Sequence, residues 1–196
     1  MKKDILKLTD EELIKEFQDN NNAQAFEILA KRYKDPLVNF IYRFLGDKET
    51  AIDIAQDALL RFYLNKDAYK SFAKFSTWIY TIAGNLAKNE LKRRRRRQLF
   101  SINSAKDDEQ DFDIKDVQNP NPDILADAVI KNKFIQKALM KLNPIYREAV
   151  ILRDIQDLPY EEIAKILNLS IGTVKSRINR GRAILQKYLK SIYKEN

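Results

Sequence analysis

The chain has 196 residues, with 36 Lys and Arg against 28 Asp and Glu and a formal net charge of +8. It holds no Cys and no His, which excludes disulfides, thiolate or imidazole metal sites, His-based catalytic triads and a histidine pH switch. Its four glycines, at 46, 84, 172 and 181, write neither a GxGxxG turn nor a Walker loop.

The N-terminal MKKDILKLTDEELIKEF reaches acids before any apolar core and is no signal peptide. No apolar run nears the roughly 20 residues of a membrane span, so a soluble cytoplasmic protein with a basic surface is expected. Thr9 and Glu12 write a capping box that opens a first helix ending near Asn20. Phe26, Leu29, Ala30, Tyr33, Leu37, Phe40, Ile41 and Phe44 follow a helical stripe that stops near Gly46, and Pro36 should kink or split it. In the next helix the buried stripe is expected on Ile52, Ala55, Leu59, Phe62 and Tyr63. Opposite it stand Asp53, Gln56, Asp57 and Leu60, a patch that suits solvent, a basic protein partner or, less well, a Mg²⁺-binding carboxylate pair.

A helix from about Phe75 to Arg97 completes the first module. Ile79, Ile82, Ala83 and Leu86 form its core side. Asn85, Lys88, Asn89, Lys92, Arg93 and Arg96 fall on another side, within about 140° on a helical wheel, and Trp78 projects there too. A basic rail with amides and one aromatic suits backbone tracking and base contact on a single strand, although a lone Trp at a helix start also fits plain packing.

Residues 106–127, rich in acids and with two prolines, carry a net −6 between segments of +6 and +8. They have no period and few large apolar side chains, and so read as a solvated linker. Beyond it, Pro144 opens one helix and Pro159 another, Asn168-Leu169-Ser170 makes a tight turn, and Ser170 caps a third helix. Val174, Ile178, Gly181 and Leu185 line one face of that helix. Thr173, Ser176 and Arg180 point the other way, with Lys175, Arg177 and Asn179 on the flanks. Hydroxyls, amides and guanidiniums on the second helix of a helix-turn-helix suit the base edges of a major groove. The expected fold is all-α: residues 1–102 and 125–196 form two helical domains, the second containing the helix-turn-helix, joined by a flexible acidic linker at 103–124.

The runs AIDIAQDALLRFY, FSTWIYTIAGNLAKNELKRRRRR and LPYEEIAKILNLSIGTVKSRINRGRAIL, in that order, resemble a bacterial RNA polymerase sigma factor. The likeness is greatest to the extracytoplasmic-function group, which has only regions 2 and 4. The resemblance implies a transcription initiation factor, not an enzyme, with no metal and no cofactor. It implies that Asp53, Gln56 and Asp57 dock on core polymerase, whose β′ and β subunits are the partners. It also implies that Trp78, Asn85, Lys88, Asn89, Lys92, Arg93 and Arg96, with the loop Tyr69 to Thr77, meet the −10 element and a flipped base of the non-template strand. Thr173, Lys175, Ser176, Arg177 and Arg180 match the helix that reads the −35 duplex, and a separate anti-sigma factor is the implied regulator. A conventional helix-turn-helix activator with an N-terminal sensor or dimerisation domain is the alternative, and a metal-dependent nuclease on Asp53 and Asp57 a more remote one.

Overall fold

The computed structural model describes residues 5–70, 73–101 and 122–192, and every element among them is helical. The helices are α1 (Asp10–Asn20), α2 (Ala23–Leu45), α3 (Lys48–Leu64), α4 (Phe75–Ser101), α5 (Pro122–Lys141), α6 (Pro144–Val150), α7 (Tyr160–Leu167) and α8 (Ile171–Ile192). The acidic stretch read as a linker lies outside the described residues up to position 121. Its last residues, from Pro122, already belong to α5, where proline suits the first helical turn.

Local chemistry explains most boundaries. Thr9 Oγ1 accepts from the Glu12 N–H at 3.2 Å while Glu12 Oε2 accepts from the Thr9 N–H at 2.9 Å, the reciprocal capping box. Gly46 closes α2 with φ +81°, and its N–H donates to the Tyr42 carbonyl at 2.7 Å. Asp47 then caps α3 through the Glu49 and Thr50 amides. Helix α2 runs unbroken through Pro36 instead of splitting there. Ala25 and Leu29 before the proline, and Leu37, Phe40 and Ile41 after it, are buried in the same core. Their burial holds both halves in line against a cost of about 3 kcal/mol.

The buried face of α3 is rotated from the expected one. Ala51, Ile54, Ala55, Ala58 and Phe62 are buried, Ile52 and Leu59 are half-buried, and Tyr63 is exposed. Three alanines allow α3 to lie close on α2, so the small residues set the contact and the larger ones flank it.

In the second half, Asn143 caps α6, which continues into a π-helical turn over Ile151–Ile155. Pro159 stands at the cap of α7, one position before the helix proper. Asn168 takes the left-handed conformation at φ 52°, and Ser170 Oγ accepts from the Thr173 N–H at 3.2 Å to start α8. Val174, Ile178 and Gly181 are buried against the rest of the module, as their spacing predicts.

The two modules do not stand apart. Leu139, Leu142, Val150, Ile151 and Ile163 share one continuous core with Leu37, Phe40, Phe44 and Tyr80. Polar side chains complete the seam. Arg43 donates to Asn132 Oδ1 at 3.0 Å and to Gln136 Oε1 at 3.3 Å. Tyr80 donates to Gln156 Oε1 at 2.7 Å, and Ser76 to Glu162 Oε2 at 2.9 Å. Arg147 is buried with its guanidinium on the carbonyls of Phe44, Met140 and Leu142, at 2.7, 2.8 and 2.9 Å. It thus closes the C-termini of α2 and α5 together, and burial draws its pKa down to about 10.

Candidate nucleic-acid interface

Helix α4 divides its polar side chains among three faces. Along its centre line Trp78, Asn85 and Lys92 recur about every two turns, and Arg96 follows one turn later. At Trp78 this face is covered: the indole packs on Phe62, Tyr69 and Phe75 with ring centroids 5.8, 5.5 and 6.1 Å away. Further along the helix the face is bare, and Asn85, Asn89, Lys92 and Arg96 are all exposed. Arg93 is exposed too, with its Nε donating to Glu90 Oε2 at 2.6 Å. Arg94, a member of the same basic run, turns inward, and its Nη2 bonds Asp47 Oδ2 and Thr50 Oγ1, both at 2.7 Å. Burial alone would raise Asp47, but Thr50 and Arg94 outweigh it and hold the carboxyl below its ordinary range.

The third face, Ser76, Tyr80, Gly84 and Lys88, meets the second module. Lys88 is therefore not part of the bare rail. Its ammonium lies 3.3 Å from Glu148 Oε1, as an ion pair without hydrogen-bond geometry. Glu148 is buried, and that burial raises its pKa against the opposing charges of Lys88 on α4 and Arg177 on α8. The loop before α4 is also engaged. Tyr69 is buried with its hydroxyl on the Ala73 carbonyl at 2.8 Å, and Lys74 Nζ pairs with Glu162 Oε1 at 2.6 Å. Ser71 and Phe72 of that loop lie outside the described residues.

On α8, Thr173, Lys175, Ser176 and Arg180 are exposed and Arg177 is half-buried. The Ser170 and Thr173 hydroxyls are 2.9 Å apart, which fixes the Thr173 rotamer at the start of the helix. Lys175 Nζ sits 5.6 Å from the centre of the Tyr160 ring, and Arg153 Cζ sits 5.2 Å from it. Sequence reasoning missed this aromatic anchor because Tyr160 and Lys175 lie on different helices and share no local pattern.

On α3, Asp53, Gln56 and Asp57 are exposed in line with Leu60 and Leu64, which are 54% and 68% accessible. An apolar strip of that exposure beside two acids is the composition of a protein-docking patch. Leu64 continues the 53-56-57-60 spacing by one more turn, a signal the sequence reading passed over. Asp53 and Asp57 belong to no cluster of three metal-ligating side chains among the described residues.

Comparison with known proteins identifies the family of both halves of the chain. Residues 29–97 match the sigma-70 region 2 family model and residues 135–185 the sigma-70 region 4 model. The RNA polymerase sigma-H factor of Pseudomonas aeruginosa is 33% identical over 95% of this chain and 96% of its own length. The ECF RNA polymerase sigma factor SigW of Bacillus subtilis is 34% identical over 87% of this chain and 92% of its own. Among solved structures, the sigma factor RpoE of Bartonella quintana, in complex with the anti-sigma factor NepR, superposes with a TM-score of 0.69 at 27% identity. That match covers 84% of this chain and 96% of RpoE. CnrH, solved with the cytosolic domain of CnrY, shares the fold with a TM-score of 0.66 at 20% identity, over 96% of this chain and 99% of CnrH. With regions 2 and 4 in order and relatives alike over almost their whole length, the chain belongs to the extracytoplasmic-function sigma factors of RNA polymerase, transcription initiation factors that are not enzymes.

Proposed function

We propose that residues 1–102 dock core RNA polymerase and read and melt the −10 element, that 125–196 read the −35 element, and that 103–124 link them. The observation that carries this is a pair of bare cationic helix faces, one in each module. One consists of Asn85, Asn89, Lys92 and Arg96 on α4, and the other of Thr173, Lys175, Ser176 and Arg180 on α8. The α4 face combines amides, which can address an unpaired base, with charges that hold backbone. The α8 face offers a hydroxyl held by Ser170 and a free guanidinium, the groups that discriminate base edges in a major groove.

Asp53, Gln56 and Asp57, with Leu60 and Leu64, form the docking patch for the polymerase, where acids meet a basic partner surface around an apolar centre. Trp78 acts as the packed floor beneath the −10 loop rather than as a stacking platform. The protein works in the cytoplasm, and an anti-sigma factor, such as the one bound to the Bartonella relative, is its regulator.

A promoter-variant series at two salt concentrations tests the assignment of the two faces. Arg180→Ala should cost about 1–3 kcal/mol at one −35 base pair and little elsewhere. Arg96→Ala should weaken binding to all sequences alike and lower the salt slope by about one. Equal losses across all −35 variants for Arg180→Ala would reduce Arg180 to a phosphate contact.

A further inference from the structure

Helix α1 reaches both ends of the connection between α3 and α4. At its entry, the Gln18 amide nitrogen donates to the carbonyls of Lys66 and Tyr69 at 2.7 and 3.2 Å. Lys66 reaches back: its ammonium donates to the carbonyls of Phe17 and Gln18 at 2.8 and 3.1 Å, and to Asn21 Oδ1. Those carbonyls stand in the last turn of α1, where the helix itself offers them no donor. At the exit, Glu11 Oε1 accepts from the Phe75 N–H at 3.2 Å. This N–H is the first of α4 and equally has no acceptor within its own helix, and a carboxylate suits that end of the helix dipole. Glu11 and Gln18 are seven positions apart, so they share one face of α1, about 10 Å apart along its axis. Ile14 lies between them on that face and is fully buried, which seats α1 in the core of the first module.

We infer that α1 positions the −10 loop: Gln18 with Lys66 at Tyr69, and Glu11 at Phe75, fix the two ends of the loop and thereby sharpen its choice of unpaired base. This rests on the role proposed above for the loop. A loop placed only by its own backbone samples many shapes, and ordering them on binding costs affinity and selectivity. Here both ends are tied to one helix before DNA arrives. The Tyr69 hydroxyl on the Ala73 carbonyl narrows the conformations further, and Trp78 packs on Tyr69 and Phe75, the two residues that are tied. Gln18 and Glu11 need touch no nucleic acid themselves. They act through the loop, as positioning residues. Their loss blurs base choice and leaves attraction to the DNA backbone, which Lys92 and Arg96 supply, in place.

A selection with the full-length chain bound to core polymerase tests this. The probe is a 20-nucleotide DNA single strand whose six central positions are randomised, and the bound molecules are sequenced. Wild type should enrich one base strongly at one position or more. Gln18→Met keeps the length of the side chain and removes both donors. It should lower the strongest of these preferences about fivefold, the share of one lost hydrogen bond. Glu11→Ala should do the same, and Glu11→Gln, which keeps an oxygen for the Phe75 N–H, should restore it. Retention of the whole random pool and its salt slope should stay as in wild type. A preference that is unchanged in a folded variant, or lowered equally at every position, would overturn the positioning role of that residue. If Gln18→Met loses its thermal transition, Glu11→Ala and Glu11→Gln decide alone, since Glu11 is exposed. A wild-type chain with no base preference at any position would overturn the −10 role of the loop itself, and the positioning by α1 with it.

Discussion

The guanidinium of Arg147 donates to the carbonyl of Phe44 at 2.7 Å, so one helix of the first module is finished by a side chain 103 positions later in the sequence. The same fork satisfies Met140 and Leu142. Arg147→Met would leave three carbonyls without their donor and should cost about 3 kcal/mol or more in urea denaturation. Arg147→Lys keeps the charge but cannot span three acceptors, and should fall between the two. A loss below about 0.5 kcal/mol for Arg147→Met would mean that water replaces the cap and that the two helix ends are not tied by it.

A second prediction concerns two glycines of α8. A Cβ at Gly181 would stand 2.5 Å from Val150 Cγ2 and 3.4 Å from the Tyr146 carbonyl, so α6 and α8 pack at a distance only glycine permits. Gly181→Ala should destabilise by about 1–3 kcal/mol through overpacking. Gly172, near the start of the same helix, faces open space, with only Ser170 Oγ at 4.0 Å. Gly172→Ala should be neutral or stabilising by up to about 1 kcal/mol. Thermal melts of the two variants check this, and equal effects would contradict the packing argument.

The contrast between those glycines shows where the sequence was informative. Thr9 with Glu12, Asn143 before Pro144, and Asn168 to Ser170 punctuate helices through contacts within three or four residues, and such signals survive in a linear string. The buried face of α8 was legible for the same reason, because Val174, Ile178 and Gly181 recur at helical spacing. The seam was not legible. Tyr80 finds Gln156 76 positions away, and no periodicity in either segment announces the pairing. The wheel therefore placed Lys88 with the free cations of α4, and Trp78 with its polar face, because it cannot show which turns a neighbour covers. On α3, three alanines outweighed the larger residues in choosing the buried side.

The pH dependence follows from Glu148. Its burial raises the native pKa, although Lys88 on α4 and Arg177 on α8 pull the other way. The native chain therefore keeps a proton at pH values where the unfolded chain, with an ordinary Glu near about 4.3, has lost it. Native protons then exceed unfolded ones, so this group's contribution falls as pH rises from that value through the native pKa. Glu148→Gln removes the titration. The stability of Glu148→Gln relative to wild type should rise across that window and then level off, as read from urea midpoints between pH 4 and 8. A difference that is flat with pH would contradict the buried, ionising carboxyl.

On α3, Asp57→Arg should weaken capture of core polymerase at least several-fold by setting a cation against a basic partner surface. Leu64→Ser should also weaken capture, through lost apolar contact at a residue that is 68% exposed and so dispensable for folding. Competition binding with unchanged thermal melts checks both. Unaltered affinity for both variants would place the docking surface elsewhere.

The central claim is that this chain confers promoter-specific initiation on core polymerase. Run-off transcription on a promoter with intact −35 and −10 elements tests it most directly, with core polymerase alone, with the wild-type chain, and with Asn85→Ala. Transcript should appear only when the chain is added. Asn85→Ala should leave −35 duplex binding intact while slowing open-complex formation, because its proposed ligand is an unpaired base whose flipping costs a few kcal/mol. Transcript from core polymerase at the same level without the chain, or none with it at any promoter, would contradict the account.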